Sequence, residues 1–286
     1  MVEIIVAPHA GFCFGVRRAV KLAEESSGSE ERVFTLGPII HNPQEVGRLR
    51  NLGVVPLEGN PEKGSAVIIR SHGIPPEKEK ELRERGVRLI DATCPYVKAV
   101  HEAVCTLARE GYFIVIVGEK NHPEVIGTLG YLKMCGGEGV VVESREDLRE
   151  VLGKERVGVV SQTTQSERFF KEIVGEIALW VRELKVINTI CNATSVRQED
   201  VYTLAPSVDV MIVVGGKNSG NTRRLYSIAR ELNPRTYHIE TPDELDPEWF
   251  TGVKRVGITA GASTPDWIIE AVKVRIEEIC AGSSSS

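Results

Sequence analysis

Three cysteines, Cys13, Cys94 and Cys191, each follow a short apolar run and precede a helical stretch. Converging thiolates suit a soft metal centre. The separations are 94 − 13 = 81 and 191 − 94 = 97 residues. That is far from a local Cys-x-x-Cys zinc or ferredoxin run, so the fold itself would have to build a shared site. A four-iron cluster ordinarily takes four cysteines. With three, one iron keeps an open position that can polarise a substrate oxygen while the cluster supplies electrons. Catalytic zinc with three protein ligands is the competing metal. Core packing is the other use of a cysteine. That reading is kept for Cys105, Cys135 and Cys280, which have no partner in register.

The cysteines belong to an internal repeat. Cys13-Phe-Gly-Val-Arg-Arg-Ala-Val parallels Cys94-Pro-Tyr-Val-Lys-Ala-Val, and 28 residues beyond each cysteine stand His41, His122 and Ser219. Gly118-Glu-Lys-Asn-His-Pro-Glu aligns without gaps onto Gly215-Gly-Lys-Asn-Ser-Gly-Asn, and the segment from Gly37 is a looser copy. A third polar loop closes each copy: Arg70-Ser-His72-Gly, Ser161-Gln-Thr163-Thr and Ala260-Gly-Ala-Ser263. Each copy therefore offers one cysteine and two polar groups at strand ends, where open parallel sheets bind ligands. His41, His72, His122, Asn42, Thr163, Ser219, Asn221 and Ser263 read as ligand-facing hydrogen-bonding groups. With helix N-termini they suit phosphate oxygens, although no Walker-type or Gly-x-Gly-x-x-Gly loop is present. Glu124, two residues past His122, is either a proton relay beside a metal or a solvated surface acid.

The elements that must position these groups alternate along the chain. Strands are expected at Glu3-Ile-Ile-Val-Ala, Val33-Phe-Thr-Leu, Ala66-Val-Ile-Ile, Tyr112-Phe-Ile-Val-Ile-Val, Val157-Gly-Val-Val, Val210-Met-Ile-Val-Val and Val256-Gly-Ile-Thr, with the first of them buried. Val97, Val100, Val104 and Leu107 mark a helix. Strand–helix alternation predicts α/β units with mostly parallel sheets. We expect a trefoil of three small α/β domains around a pseudo-threefold axis: residues 14–96, 97–193, and 194–281 together with 1–13, followed by a disordered tail at 282–286. A net charge of −5 argues against a nucleic-acid surface. No apolar run reaches the roughly 18 residues of a membrane span. The N-terminus lacks the basic region and cleavage site of a signal peptide. A cytoplasmic location is therefore expected, with reduced thiols. A self-contained trefoil would be a monomer.

In Ala10-Gly-Phe-Cys13-Phe-Gly-Val, Gly37-Pro-Ile-Ile-His41-Asn, Asp91-Ala-Thr-Cys94-Pro, His122-Pro-Glu124, Gln162-Thr163-Thr, Ile190-Cys191-Asn-Ala-Thr, Lys217-Asn-Ser219-Gly-Asn221 and Thr259-Ala-Gly-Ala-Ser263, the chain resembles the 4-hydroxy-3-methylbut-2-enyl diphosphate reductases over residues 1–281. The resemblance implies one [4Fe–4S] cluster held by Cys13, Cys94 and Cys191, with an open iron. It implies a diphosphate gripped by His41, His72, His122, Ser219, Asn221 and Ser263. Thr163 would contact the substrate hydroxyl, and Glu124 would deliver protons. The reaction would be reductive dehydroxylation to isopentenyl and dimethylallyl diphosphate in the methylerythritol phosphate route, with a ferredoxin or flavodoxin as electron donor. Many members carry a second serine where this chain has Gly220, so one side-chain contact to the diphosphate is absent or is made by backbone.

Overall fold

The computed structural model describes residues 2–28 and 33–282. Its strands form three four-stranded, all-parallel sheets in the orders β3-β2-β4-β5, β7-β6-β8-β9 and β11-β10-β12-β1. The first sheet holds β2 (Val33–Thr35), β3 (Val54–Pro56), β4 (Ala66–Ile69) and β5 (Arg88–Asp91). The second holds β6 (Phe113–Val117), β7 (Gly139–Val142), β8 (Arg156–Ser161) and β9 (Glu183–Val186). The third holds β10 (Val210–Val214), β11 (Thr236–Ile239), β12 (Arg255–Ala260) and, from the start of the chain, β1 (Glu3–Val6). Numbered within each repeat, the strand order is the same, 2-1-3-4. The order reverses between the first and third strands, and the crevice at such a reversal is where open α/β sheets take ligands.

Two compact units account for the chain: Met1–Arg17 with Ile40–Arg48 and Asn192–Ser286, and Arg18–Ile39 with Leu49–Cys191. In the former, Val210, Ile212 and Val214 pack toward α9 (Asp266–Gly282) through Ile268, Val272 and Ile276. The alternate residues Met211 and Val213 pack toward α7 (Asn192–Leu204) and α8 (Gly220–Leu232) through Val201, Leu204, Leu225 and Ile228. A strand covered on both faces needs an unbroken apolar run, which is how β10 reads. The latter unit repeats the device. Ile114 and Ile116 meet α4 (Pro95–Arg109) and α5 (Pro123–Met134), while Val115 and Val117 meet α6 (Glu167–Ile177). Val97, Val100, Val104 and Leu107 are all buried on α4, as their spacing predicts.

Three sequence expectations change. The first strand is an edge strand and only half-buried, because nothing pairs with its outer side. Gly282 ends α9 and is not part of a tail, and residues 283–286 lie outside the described residues. Cys105 and Cys135, expected as core fillers, are joined by a disulfide that links α4 to the C-cap of α5. Cys280 remains a thiol, and burial raises its pKa. The disulfide closes a loop of 30 residues, which restricts the unfolded chain by about 3–4 kcal/mol. Non-reducing peptide mapping should recover the linked pair. The Cys105→Ala/Cys135→Ala protein should melt about 5–10 °C lower. Full alkylation of both thiols without reductant would show that the staple is not formed.

Candidate functional site

Every repeat ends its third strand in the same hydrogen-bonded turn. Gly73 donates to the carbonyl of Arg70 (3.0 Å), Gln165 to that of Gln162 (3.0 Å) and Thr264 to that of Gly261 (2.9 Å). The cysteine after the fourth strand then fastens itself to the second residue of the turn. Cys94 N–H donates to Ser71 O (2.9 Å), Cys191 N–H to Thr163 O (3.0 Å) and Cys13 N–H to Ala262 O (3.1 Å). Each cysteine also opens a helix. Cys94 is the N-cap of α4, Cys13 O accepts from Arg17 N in α1 (Phe14–Ser27), and Cys191 immediately precedes α7. All three side chains are partly buried. A half-buried thiol at a helix N-terminus, repeated three times, fits a ligand for a soft metal or cluster far better than a core filler.

The turns also correct the alignment of the polar loops. Their third residue is His72, Thr164 or Ser263, so Thr163 stands one position earlier than the residues it was paired with. The first-strand loops correct it again. The N-caps that follow them are His122 on α5, whose Nδ1 accepts from Glu124 N (3.2 Å), and Ser219 on α8, whose Oγ accepts from Thr222 N (3.3 Å). In the first repeat, α2 (Pro43–Asn51) is capped by Asn42, whose Oδ1 accepts from Glu45 N (2.9 Å). Asn42, not His41, is the equivalent residue, because this copy carries one extra residue before its helix. Asn42-Pro43 mirrors His122-Pro123, and that dipeptide is the signal a count of 28 overlooks. Two residues beyond the caps stand Gln44, Glu124 and Asn221.

Glu124 is fully buried, not a surface acid. One carboxylate oxygen accepts from Thr163 N (2.6 Å) and the other from Thr163 Oγ1 (2.8 Å). Burial pushes its pKa up to about 7, against the two donors from Thr163, which pull it down. It therefore exchanges a proton near neutrality. When protonated, it reverses its bond to the threonine hydroxyl and donates to Thr163 Oγ1. His122 is buried beside His72, the rings edge to face with centroids 5.4 Å apart. Because its Nδ1 accepts a backbone N–H, its Nε2 carries the proton and acts as a donor.

In the other unit, Asn221 lies in the first turn of α8, 5% exposed, and neither its amide oxygen nor its amide nitrogen has a partner. A buried amide left unpaired costs roughly 1–3 kcal/mol, which a ligand would recover. Ser219 and Ser263 are buried as well, and Ser263 Oγ donates to His41 O (3.2 Å). A Cβ at Gly216 would lie 2.4 Å from that carbonyl, so only glycine lets the His41–Asn42 peptide sit there. Asn42 Nδ2 is buried without a partner. The remaining histidines carry no such signal. His9 pairs with Asp200, His101 stacks on Tyr131 with its pKa pushed down to about 4 by burial, and His238 contacts Gly215 O.

The LytB protein family model matches residues 4–277. The chain belongs to the LytB family. Among its relatives, the 4-hydroxy-3-methylbut-2-enyl diphosphate reductase of Aquifex aeolicus (strain VF5) is 75% identical over 284 residues, 99% of this chain and 98% of that protein. The enzyme of the same name from Geobacter sulfurreducens is 50% identical, over 96% of this chain and 97% of that one. A solved structure of (E)-4-hydroxy-3-methyl-but-2-enyl diphosphate reductase, described as the terminal enzyme of the non-mevalonate pathway, is 74% identical, covers 97% of this chain and 100% of its own, and superposes with a TM-score of 0.75. The E-1-hydroxy-2-methyl-but-2-enyl-4-diphosphate reductase of Plasmodium falciparum, at 29% identity, covers 96% of this chain and 87% of its own with a TM-score of 0.88. LytB membership agrees with the fold and function expected from the motifs.

Thr163→Val removes one of the two donors that hold the Glu124 pKa down, so the carboxyl should titrate above its present value of about 7. Infrared difference spectra of the carboxyl band across pH, with Glu124→Gln as the blank, would read the shift; an unchanged midpoint would remove the hydroxyl from the control of this proton.

Proposed function

We infer that this chain is a 4-hydroxy-3-methylbut-2-enyl diphosphate reductase, an oxidoreductase that removes the substrate hydroxyl as water and yields isopentenyl and dimethylallyl diphosphate. The observation that carries the reading is the cysteine that recurs at one position in all three repeats, each with its N–H bonded to the loop that follows the third strand. Cys13, Cys94 and Cys191 hold a [4Fe–4S] cluster with one iron left open. When bound, that cluster supplies single electrons from a ferredoxin or flavodoxin and a Lewis-acidic iron for the substrate oxygen.

The protein's own groups do the rest. His41, His72, His122, Ser219, Asn221 and Ser263 bind the diphosphate. Asn221 supplies amide groups that burial has left unpaired, and His122 a ring Nε2–H donor. Gly220 is the first residue of α8, so it contributes a backbone N–H where relatives have a serine hydroxyl. This grip supplies remote binding energy that orients the carbon skeleton. The Thr163 hydroxyl meets the substrate hydroxyl and, with Glu124, forms the proton path. Protonation matters because hydroxide leaves poorly. A carboxyl with a pKa of about 7 is half-loaded at neutral pH and is reloaded from solvent between turnovers. One α/β domain per sheet, acting as a cytoplasmic monomer, completes the proposal. No described helix is long and apolar enough to cross a membrane.

Protein purified without oxygen should contain about four irons and four sulfides per chain. Stoichiometric zinc without sulfide, persisting after reconstitution, would overturn the reading in favour of a zinc hydrolase. Cys13→Ser should lose or destabilise the cluster. Glu124→Gln should keep the cluster and the substrate yet lose most turnover. In the wild type, kcat should fall as pH rises through about 7, because the proton donor is then ionised. Ser263→Ala should raise KM more than it lowers kcat.

A further inference from the structure

Two arginines reach the turns that lead into the cysteines. Arg18, half-buried on α1, donates from Nη1 to Thr93 O (3.2 Å) and from Nη2 to Asp91 O (3.1 Å). The residue after Thr93 is Cys94. Arg197, on α7 and only 4% exposed, donates from Nη2 to Gly11 O (2.6 Å), two residues before Cys13, and from Nη1 to Ala193 O (2.7 Å) in its own helix. Each contact lies within one compact unit.

Other bonds already shape these turns. Asp91 Oδ1 accepts from Thr93 N (2.9 Å), and Asn188 Oδ1 accepts from Ile190 N (3.1 Å) in the turn before Cys191. That pair is the same local turn in two repeats, so the turn before Cys94 is shaped locally by Asp91 and held from outside by Arg18. What Arg18 adds is a rigid two-pronged clamp on carbonyls and a permanent charge. The hydrogen bonds of Arg18 to neutral carbonyls leave that charge in place, where it favours the more negative, reduced state of any cluster held beside the turn.

We propose that Arg18 and Arg197 are positioning residues for Cys94 and Cys13: Arg18 clamps two carbonyls of the turn before Cys94 and supplies positive charge that makes the bound cluster easier to reduce, and Arg197 ties Gly11 O, before Cys13, to α7. The proposal rests on the iron–sulfur reading above. It goes beyond that reading by assigning two residues that touch neither metal nor substrate.

The test uses full-length protein, reconstituted without oxygen, as wild type, Arg18→Lys, Arg18→Gln, Arg197→Lys and Arg197→Gln. Exposed Arg168 on α6 changed to Gln serves as the control. Iron and sulfide content, the rate of iron loss to a chelator and the midpoint potential from a spectroscopic redox titration are read for each. Lysine keeps the charge and loses the fork. Those variants should release iron about tenfold faster at a potential close to wild type. Arg18→Gln loses the charge as well as the clamp, so its potential should shift to more negative values, while Arg168→Gln leaves it unmoved; Arg197→Gln should release iron faster. Wild-type potential and wild-type iron release in the glutamine variants would overturn the proposal. If glutamine prevents folding, as judged by apo-protein circular dichroism, the lysine variants decide, and wild-type iron release in them overturns it. A wild-type protein without iron and sulfide would instead defeat the cluster reading and this inference together. A wild-type cluster indifferent to both arginines would defeat the inference alone.

Discussion

The hydrogen bond from each cysteine N–H to the turn after the neighbouring strand is the constraint on which the site depends. A parallel strand ends with its last backbone groups pointing past the sheet, and they need partners. Here the fourth strand finds them in the turn after the third, so the cysteine is set in place by the same bond that ends the sheet. Three sheets with one strand order repeat the arrangement, with bond lengths from 2.9 to 3.1 Å. The placing of each cysteine is thus a property of the backbone, and side chains are free to vary around it. They do: the third residue of the turn is a histidine, a threonine and a serine in the three copies.

The same repetition sorts the polar groups by what burial does to them. The residue two past the cap is Gln44, Glu124 or Asn221. An amide buried there keeps its donors and acceptors, and Asn221 holds both unpaired. A carboxyl buried there cannot stay charged at low cost, and its pKa climbs until the proton becomes mobile at neutral pH. Thr163 limits the climb with two donors. One structural position therefore holds an unpaired amide in one copy and a carboxyl with a raised pKa in another.

The chemistry-bearing cysteines, the alternation of elements and all six interior strands, β2, β4, β6, β8, β10 and β12, were legible in the sequence because strands buried on both faces read as continuous apolar runs. Of the edge strands only β1 was legible. Segments such as Val54–Pro56 and Arg88–Asp91 are short, and residues such as Arg88 face solvent, so their composition carries little signal. Within the repeat, two residues were paired one position out. The extra residue before Asn42 and the placement of Thr163 within its turn are fixed by a side-chain cap and a backbone bond. Neither leaves a periodic trace. Arg18 and Arg197 look like ordinary helix-surface residues until their carbonyl partners, 73 to 186 residues away in sequence, are seen.

Helix position also separates the cysteines into chemical classes. Cys13, Cys94 and Cys191 stand at helix N-termini, each with its N–H on the turn after a neighbouring strand. Cys135 caps the C-terminal end of α5, where the dipoles oppose negative charge, and Cys105 is buried in α4 with its sulfur against Tyr131 O. Their disulfide is set by proximity, Cα to Cα 5.4 Å, and it carries no implication for the first three cysteines. One helix thus holds both classes: Cys94 at the N-cap of α4 with its N–H on Ser71 O, and Cys105 inside α4, stapled to the C-cap of α5, because a sulfur bonds to whatever the fold sets against it.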